Sequence, residues 1–210
     1  MITLDIFSDP ICPWCYIGKA RLDAALEIRP DHPFEINWNP FMLNPDMPPG
    51  GMDRRAYLEL KFGGQQKAVA AYLPMQRAAE EVSLPLDLAR ITRTPATRNA
   101  HRLIHWADQE GRQSAMVSAL FRAYFVEGAD IGKPEVLTEL AQKAGLDGAM
   151  MARLLATDAD LDEIRSRDRE IRARGLEGVP AFVIAGQHVV TGAQTTPFWL
   201  NVIDELAGRA

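Results

Sequence analysis

Ile2, Leu4 and Ile6 alternate with polar positions before Phe7, and this period of two predicts a strand of about six residues. From Pro13 the period lengthens: Trp14, Ile17, Leu22, Ala25 and Leu26 share one helical face that runs up to Pro30. Phe34, Ile36 and Trp38 then alternate again, a second strand. A strand, a helix and a strand within about forty residues make a βαβ unit, whose strands are parallel and whose crossover is right-handed.

A loop rich in proline and glycine, "NPDMPPGGM", follows, and from Asp53 to about Ala156 the pattern contains no strand. It predicts helices near 53–62, 65–82, 85–91, 95–111, 113–127, 134–144 and 147–156. Pro134 suits a first helical position, Gly145 a C-terminal cap and Asp147 the next start. A further helix over 159–174 begins after Thr157 or Asp158 and ends at Gly175. "VPAFVIAGQHVVTG" then reads as two short strands joined at Gly186-Gln187, and a helix near 196–207 closes the chain. The outer segments form one sheet. The expected architecture is therefore an α/β domain built from 1–48 and 158–210, with 49–157 inserted as an all-helical domain. There is no internal repeat and no low-complexity segment.

Composition narrows the partners. The chain has 210 residues, a net charge of −5 and acidic and basic positions mixed along the helices. It shows no basic block or basic-aromatic stripe, which argues against nucleic acid. Its apolar runs fall short of the roughly 20 residues a membrane span needs. "MITLDIFSDP" has no positive n-region, apolar h-region or cleavage site, so the expected location of a chain starting there is cytoplasmic.

The chain contains two cysteines, Cys12 and Cys15, within "DIFSDPICPWCYIGKARL". In a reducing compartment, catalysis or metal binding is a better explanation for such a pair than a structural staple. Cys12 falls where strand and turn give way to helix. Unpaired N–H groups and the positive end of the helix dipole favour a thiolate there. Pro13 fits the first turn because the N–H it lacks would be unsatisfied anyway. Cys15, one turn on, points inward. That arrangement gives an exposed attacking thiol and a shielded resolving one. Trp14 supports the thiolate less than a histidine could, and Asp9 opposes ionisation if its carboxylate stays close to Cys12. Two rival readings remain at this point: two inert buried cysteines, or a zinc site with His101 and His105, four apart on a predicted helix. Against zinc, 85 residues separate Cys15 from His101 (101 − 15 − 1), far more than in a compact finger. His32 and His188 have no evident partners.

The segments "DPICPWCYIGK" (9–19), "WNPFMLNP" (38–45), "YLELKFG" (57–63), "AHRLIHWA" (100–107), "EGVPAFVI" (177–184) and "TGAQ" (191–194) run through the chain in order. Taken together the sequence resembles the DsbA family of thiol-disulfide oxidoreductases, and within it a cytosolic FrnE-like branch. The resemblance implies a thioredoxin-like fold with an inserted helical domain. It assigns Cys12 as nucleophile, Cys15 as resolving thiol and Pro180 as a cis-proline facing them. Val179 would offer its backbone to an extended substrate segment, with Phe41, Leu43 and Trp14 as apolar surface. Phe41 and Leu43 suit interdomain packing equally well. One departure stands out: Ala96 occupies a position where relatives often have Asn, which weakens the case for glutathione binding, although Asn99 lies nearby.

The expected function is thus a cytosolic thiol-disulfide oxidoreductase or disulfide isomerase acting on protein or small-molecule thiols and disulfides, as a monomer or homodimer. Its cofactor is the cysteine pair itself, with glutathione a candidate co-substrate and no metal. The alternative is a glutathione-dependent isomerase or transferase similar to 2-hydroxychromene-2-carboxylate isomerase and the kappa-class glutathione transferases. A third reading is a non-enzymatic module with an apolar groove, or a zinc-holding redox sensor.

Overall fold

The computed structural model describes residues 1–208, the side chain of Gln65 aside. Strand β1 (Ile2–Ser8) lies inside a four-stranded sheet because its side chains are apolar on alternate positions and bury Leu4 and Ile6. Helix α1 (Pro13–Ile28) returns the chain to β2 (Phe34–Pro40), parallel to β1 in the register Ile2↔Phe34 to Ser8↔Pro40. On the other side β5 (Ala181–Ile184) pairs antiparallel with β1, and β6 (His188–Thr191) pairs with β5, giving the order β2-β1-β5-β6. The hairpin turns slightly earlier than the sequence suggests. Ile184 opposes His188, and both Ala185 and Gly186 have positive φ. Two consecutive left-handed residues match the right-handed twist of the flanking strands. Helix α9 (Thr196–Leu206) packs on α1, with Trp199 fully buried and edge-on to Phe182 at 4.8 Å.

Between β2 and α8 (Leu161–Ala173) run the helices α2 (Arg54–Phe62), α3 (Gln65–Glu80), α4 (Arg98–Gln109), α5 (Gln113–Phe125), α6 (Pro134–Lys143) and α7 (Gly148–Leu155). Two expectations for this region need correction. The helix expected over 85–91 is a single 3-10 turn at Leu88–Arg90. The region expected to lack strands contains β3 (Met52–Asp53) paired antiparallel with β4 (Arg93–Thr94). Strands of two residues carry no periodicity, so nothing in the pattern could announce them. The helix after 157 also lacks the expected cap. Its N-cap is Asp160, in a left-handed conformation with no side-chain bond to the helix.

The sheet and the helical segment share one core. A continuous cluster of buried apolar side chains joins Leu4, Ile6, Trp38 and Phe182 to Leu103, Trp106, Leu120 and Phe125. Tyr16 of α1 stacks on Phe125 of α5 at 5.3 Å. The free edge of β2 is closed by a side chain instead of a strand. The Trp38 N–H donates to Gln113 Oε1 at 2.7 Å, and Gln113 Nε2 donates to the Trp38 carbonyl at 3.0 Å.

Replacing Gln113 by Met keeps most of the volume but leaves a buried backbone donor and acceptor without partners. Each such orphan costs about 1–3 kcal/mol. Gln113→Met is therefore expected to lower the unfolding free energy by roughly 2–4 kcal/mol in urea titrations. A loss within error of zero would mean that the edge of β2 does not depend on this amide.

Candidate active site at the start of the first helix

The turn from β1 into α1 sets the cysteines. The Cys12 N–H donates to the Asp9 carbonyl at 2.9 Å, closing the turn, and Pro13 takes the first helical position. Cys12 is the N-cap: its Sγ accepts from the Cys15 N–H at 3.4 Å, a contact that offers an N–H to negative charge on this sulfur. The Cys12 thiol in turn donates to the Val179 carbonyl at 3.7 Å. The Val179–Pro180 peptide bond is cis. Gly18 gives this loop its room on α1, since a Cβ there would lie 3.2 Å from the Pro180 ring.

The two sulfurs have different surroundings. Cys12 is 4 % exposed and borders a cavity of about 250 Å³, together with Pro13, Trp14, Leu43 and Val179. The expected open exposure is therefore corrected: Cys12 is reached through this cavity, not from a flat surface. Cys15 is 1 % exposed and does not line it. Burial pushes the Cys15 thiol well above its usual range and proximity to Cys12 adds to this, while the Asp9 backbone and the Ser8 hydroxyl act in the opposite direction.

Asp9 does not act as its sequence position suggests. Its carboxylate is fully buried and turned into the protein, where Oδ2 accepts from the Leu43 N–H at 2.6 Å and from the Thr97 hydroxyl at 3.3 Å. Oδ1 accepts from the Ile11 N–H at 3.3 Å. Burial outweighs these bonds and the charge of Lys61, pushing the carboxyl up to about 7. His101 Nε2 lies 3.9 Å from Oδ1, beyond hydrogen-bond distance, and has no hydrogen-bond partner. Burial holds this imidazole down to about 4, so it stays neutral beside Asp9 near neutral pH.

Phe41 is a second correction. It is buried beneath the Arg172 guanidinium at 3.9 Å and does not border the cavity. Asp168 of α8 explains the placement, because it accepts the Met42 N–H at 2.7 Å and the Arg172 Nε–H at 3.0 Å, drawing residues 41 and 42 toward α8. Leu43 emerges at the cavity. Ala96 packs with Met47 and Tyr57, and Asn99 accepts from Arg102 at 2.9 Å; neither borders the cavity. His105 contacts Arg167, and the His32 ring accepts from the Phe34 N–H. Among the described residues no three His, Cys, Asp or Glu side chains converge as a metal site.

Sequence reading missed Thr97, His101's place beside Asp9, and the cavity residues Arg54, Tyr57, Lys61 and Tyr72. Tyr57 and Lys61 fall within the motif "YLELKFG", but a motif does not say that its helix faces the cysteines.

Comparisons place this chain and its fold among known proteins. The family model described as a DSBA-like thioredoxin domain matches residues 3–204. A probable DsbA oxidoreductase of Streptomyces coelicolor is 31% identical with a TM-score of 0.86, over 100% of this chain and 92% of its own. The cytosolic disulfide reductase DsbM of Pseudomonas aeruginosa, solved with GSH, shares the fold at a TM-score of 0.68 and 23% identity, over 98% of this chain and 99% of its own. The uncharacterized protein YwbO of Bacillus subtilis is 28% identical over 91% of this chain and 90% of its own.

The raised carboxyl of Asp9 has a consequence for stability. An unfolded aspartate titrates near 3.8, so from about pH 4 to 7 the folded chain holds a proton that the unfolded chain has released. The stability from the neutral carboxyl is complete below that window and lost as pH rises through it. Asp9→Asn cannot ionise. Its unfolding free energy relative to wild type is expected to rise across the window at up to about 1.4 kcal/mol per pH unit. Urea titrations at several pH values test this, and a difference independent of pH would refute the raised carboxyl.

Proposed function

This chain belongs to the DSBA-like thioredoxin family, and we propose that within it Cys12 and Cys15 form a redox couple that exchanges electrons with disulfides in a reducing compartment. The observation that carries this reading is the inequality of the two thiols. Cys12 borders the cavity at a helix N-terminus with the Cys15 N–H on its sulfur, and Cys15 is buried behind it.

In the reducing direction, the Cys12 thiolate attacks one sulfur of a substrate disulfide. A Cys12–substrate disulfide forms and one substrate sulfur leaves as thiolate, to be protonated from solvent. Cys15 then loses its proton and attacks Cys12 Sγ, and the second substrate thiolate departs. Two electrons pass from the pair to the substrate, leaving a Cys12–Cys15 disulfide and two substrate thiols. The Val179 carbonyl lies 3.7 Å from Cys12 Sγ, which supports a substrate segment running along this backbone when its sulfur meets Cys12. A cytosolic setting is part of the proposal, and a cytosolic disulfide reductase shares this fold.

A glutathione-dependent isomerase reading is less well supported. A second thiol behind position 12 suits disulfide exchange and has no task in an isomerisation, and neither Ala96 nor Asn99 borders the cavity.

Cys12→Ser is expected to abolish reduction of a model disulfide. Cys15→Ser is expected to retain the first attack and accumulate a mixed disulfide, visible as a mass increase that dithiothreitol removes. Retained turnover in Cys12→Ser would refute the redox reading. Equilibration in glutathione buffers then sets the direction: a potential well above the cytosolic poise means a dithiol at rest, suited to reduction or isomerisation.

A further inference from the structure

Four cationic side chains are buried among the described residues: Lys19, Arg21, Arg54 and Arg102. Lys19 is paired with Asp23 and Arg21 with Glu81. Arg102 is wrapped by the carbonyls of Leu154, Thr157 and Ala159 and by Asn99. Arg54 differs. Like Arg102 it has no carboxylate within 4 Å among the described residues, but it lacks the cage of carbonyls as well: its guanidinium donates to the Thr94 hydroxyl at 3.2 Å and to the Tyr72 hydroxyl, and lies over the Tyr57 and Tyr72 rings. The Tyr72 phenol is pushed above its usual range by burial, so it offers a neutral oxygen and no countercharge.

Burying a charge without an opposite one costs several kcal/mol, and such a cost points to a ligand that supplies the missing sign. Arg54 borders the cavity at Cys12, and so does Lys61, whose ammonium donates to the Tyr57 hydroxyl at 2.8 Å. Among the described residues no acidic side chain borders the cavity, in a chain whose net charge is −5. Lys61 does act at longer range on the buried Asp9, but that carboxyl is raised to about 7 and carries only part of a charge at neutral pH. Arg54 has five N–H donors and Lys61 three, so both keep donors free for a ligand. The remaining walls are apolar or aromatic, among them Trp14, Phe62 and Met75. The volume, about 250 Å³, lies below the roughly 300–1,000 Å³ of drug-sized clefts. It suits one half of a small disulfide and is too small for a folded segment.

Building on the redox reading, we propose that the cavity is an anion subsite in which Arg54 and Lys61 receive the carboxylate of a low-molecular-weight thiol or disulfide whose sulfur meets Cys12. The chemistry is the exchange described above, with the carboxylate unchanged. The helices α2 and α3 supply the selectivity, and the turn into α1 supplies the reacting sulfur.

The test is a single turnover of the reduced protein with two aromatic disulfides: dithiobis(2-nitrobenzoate), which carries two carboxylates, and dithiodipyridine, which carries none. Each rate is followed by the released thiol. The expected readout is the ratio of the anionic to the neutral rate constant, falling about tenfold in Lys61→Gln and further in Lys61→Glu. Arg54→Gln is expected to fall at least as far where it folds, while Lys143→Glu, on α6 away from the cavity, keeps the wild-type ratio. A ratio unchanged in both Lys61 variants, or lowered equally by Lys143→Glu, overturns the subsite. If the ratio holds for the small dicarboxylate and falls only for a peptide disulfide flanked by aspartates, the small-molecule assignment is overturned. A reduced protein that reacts with neither disulfide refutes the redox reading itself, a separate result.

Discussion

One buried carboxylate holds the site together. Asp9 accepts from Ile11 in the turn that presents Cys12, from Leu43 on the opposite wall, and from Thr97 at the entry to α4. Those three groups come from distant parts of the chain and from both the sheet and the helical segment. An unpaired N–H at Leu43 would be costly next to a dry core, and so would a charged Asp9 with fewer donors. The arrangement settles between those costs, with the three donors made and the carboxyl raised to about 7. Asp168 does the same for Met42 from α8, so two acids on different elements fix consecutive residues of one irregular segment. Beyond Phe41, whose N–H still donates to the Ser8 carbonyl at 3.2 Å, the segment is therefore held by side chains and not by a ladder.

That segment determines what faces the sulfur. Side chains two apart in a strand share a face, and a continued β2 would have sent Phe41 and Leu43 the same way. The pull of Asp168 and Arg172 on residues 41 and 42 breaks the alternation. Phe41 is sealed under a guanidinium and Leu43 is left at the cavity. The thiols are sorted by similar means. Cys12 is the last residue before the helix and Cys15 lies one turn inside it, so a spacing of three puts one sulfur at the cavity and the other in the core.

The frame was legible because it rests on local patterns. Alternation marked β1 and β2, proline and glycine punctuated the helices, and the position of Cys12 before Pro13 announced the cap. Segments spread along the chain supported the family, and the match over residues 3–204 bears that out. What stayed hidden depends on long-range partners. Asp9 sits three residues from Cys12, and on that evidence its charge should act on the thiol. Its actual partner is an amide 34 residues away. The paired residues Met52–Asp53 and Arg93–Thr94 are too short to have a period. Nothing in the pattern around Lys61 says that it borders the same cavity as Cys12.

The division of labour between the two parts of the chain follows from electrostatics. A helix N-terminus favours a thiolate only through partial charges that fade within a turn, so the sheet frame can activate a sulfur but discriminates poorly between substrates. Full charges in a cavity walled by low-dielectric side chains reach further and act more strongly. In the proposed subsite, Arg54 and Lys61 on the inserted helices would add that discrimination without touching the turn that holds Cys12. Had they been placed in the turn itself, they would have had to share the donors that position Cys12. Asp9 then has a further reason to be buried with its carboxyl raised to about 7. A full negative charge on Asp9 would offset the lysine and oppose a carboxylate at the proposed subsite, whereas a carboxyl raised to about 7 carries only part of that charge at neutral pH.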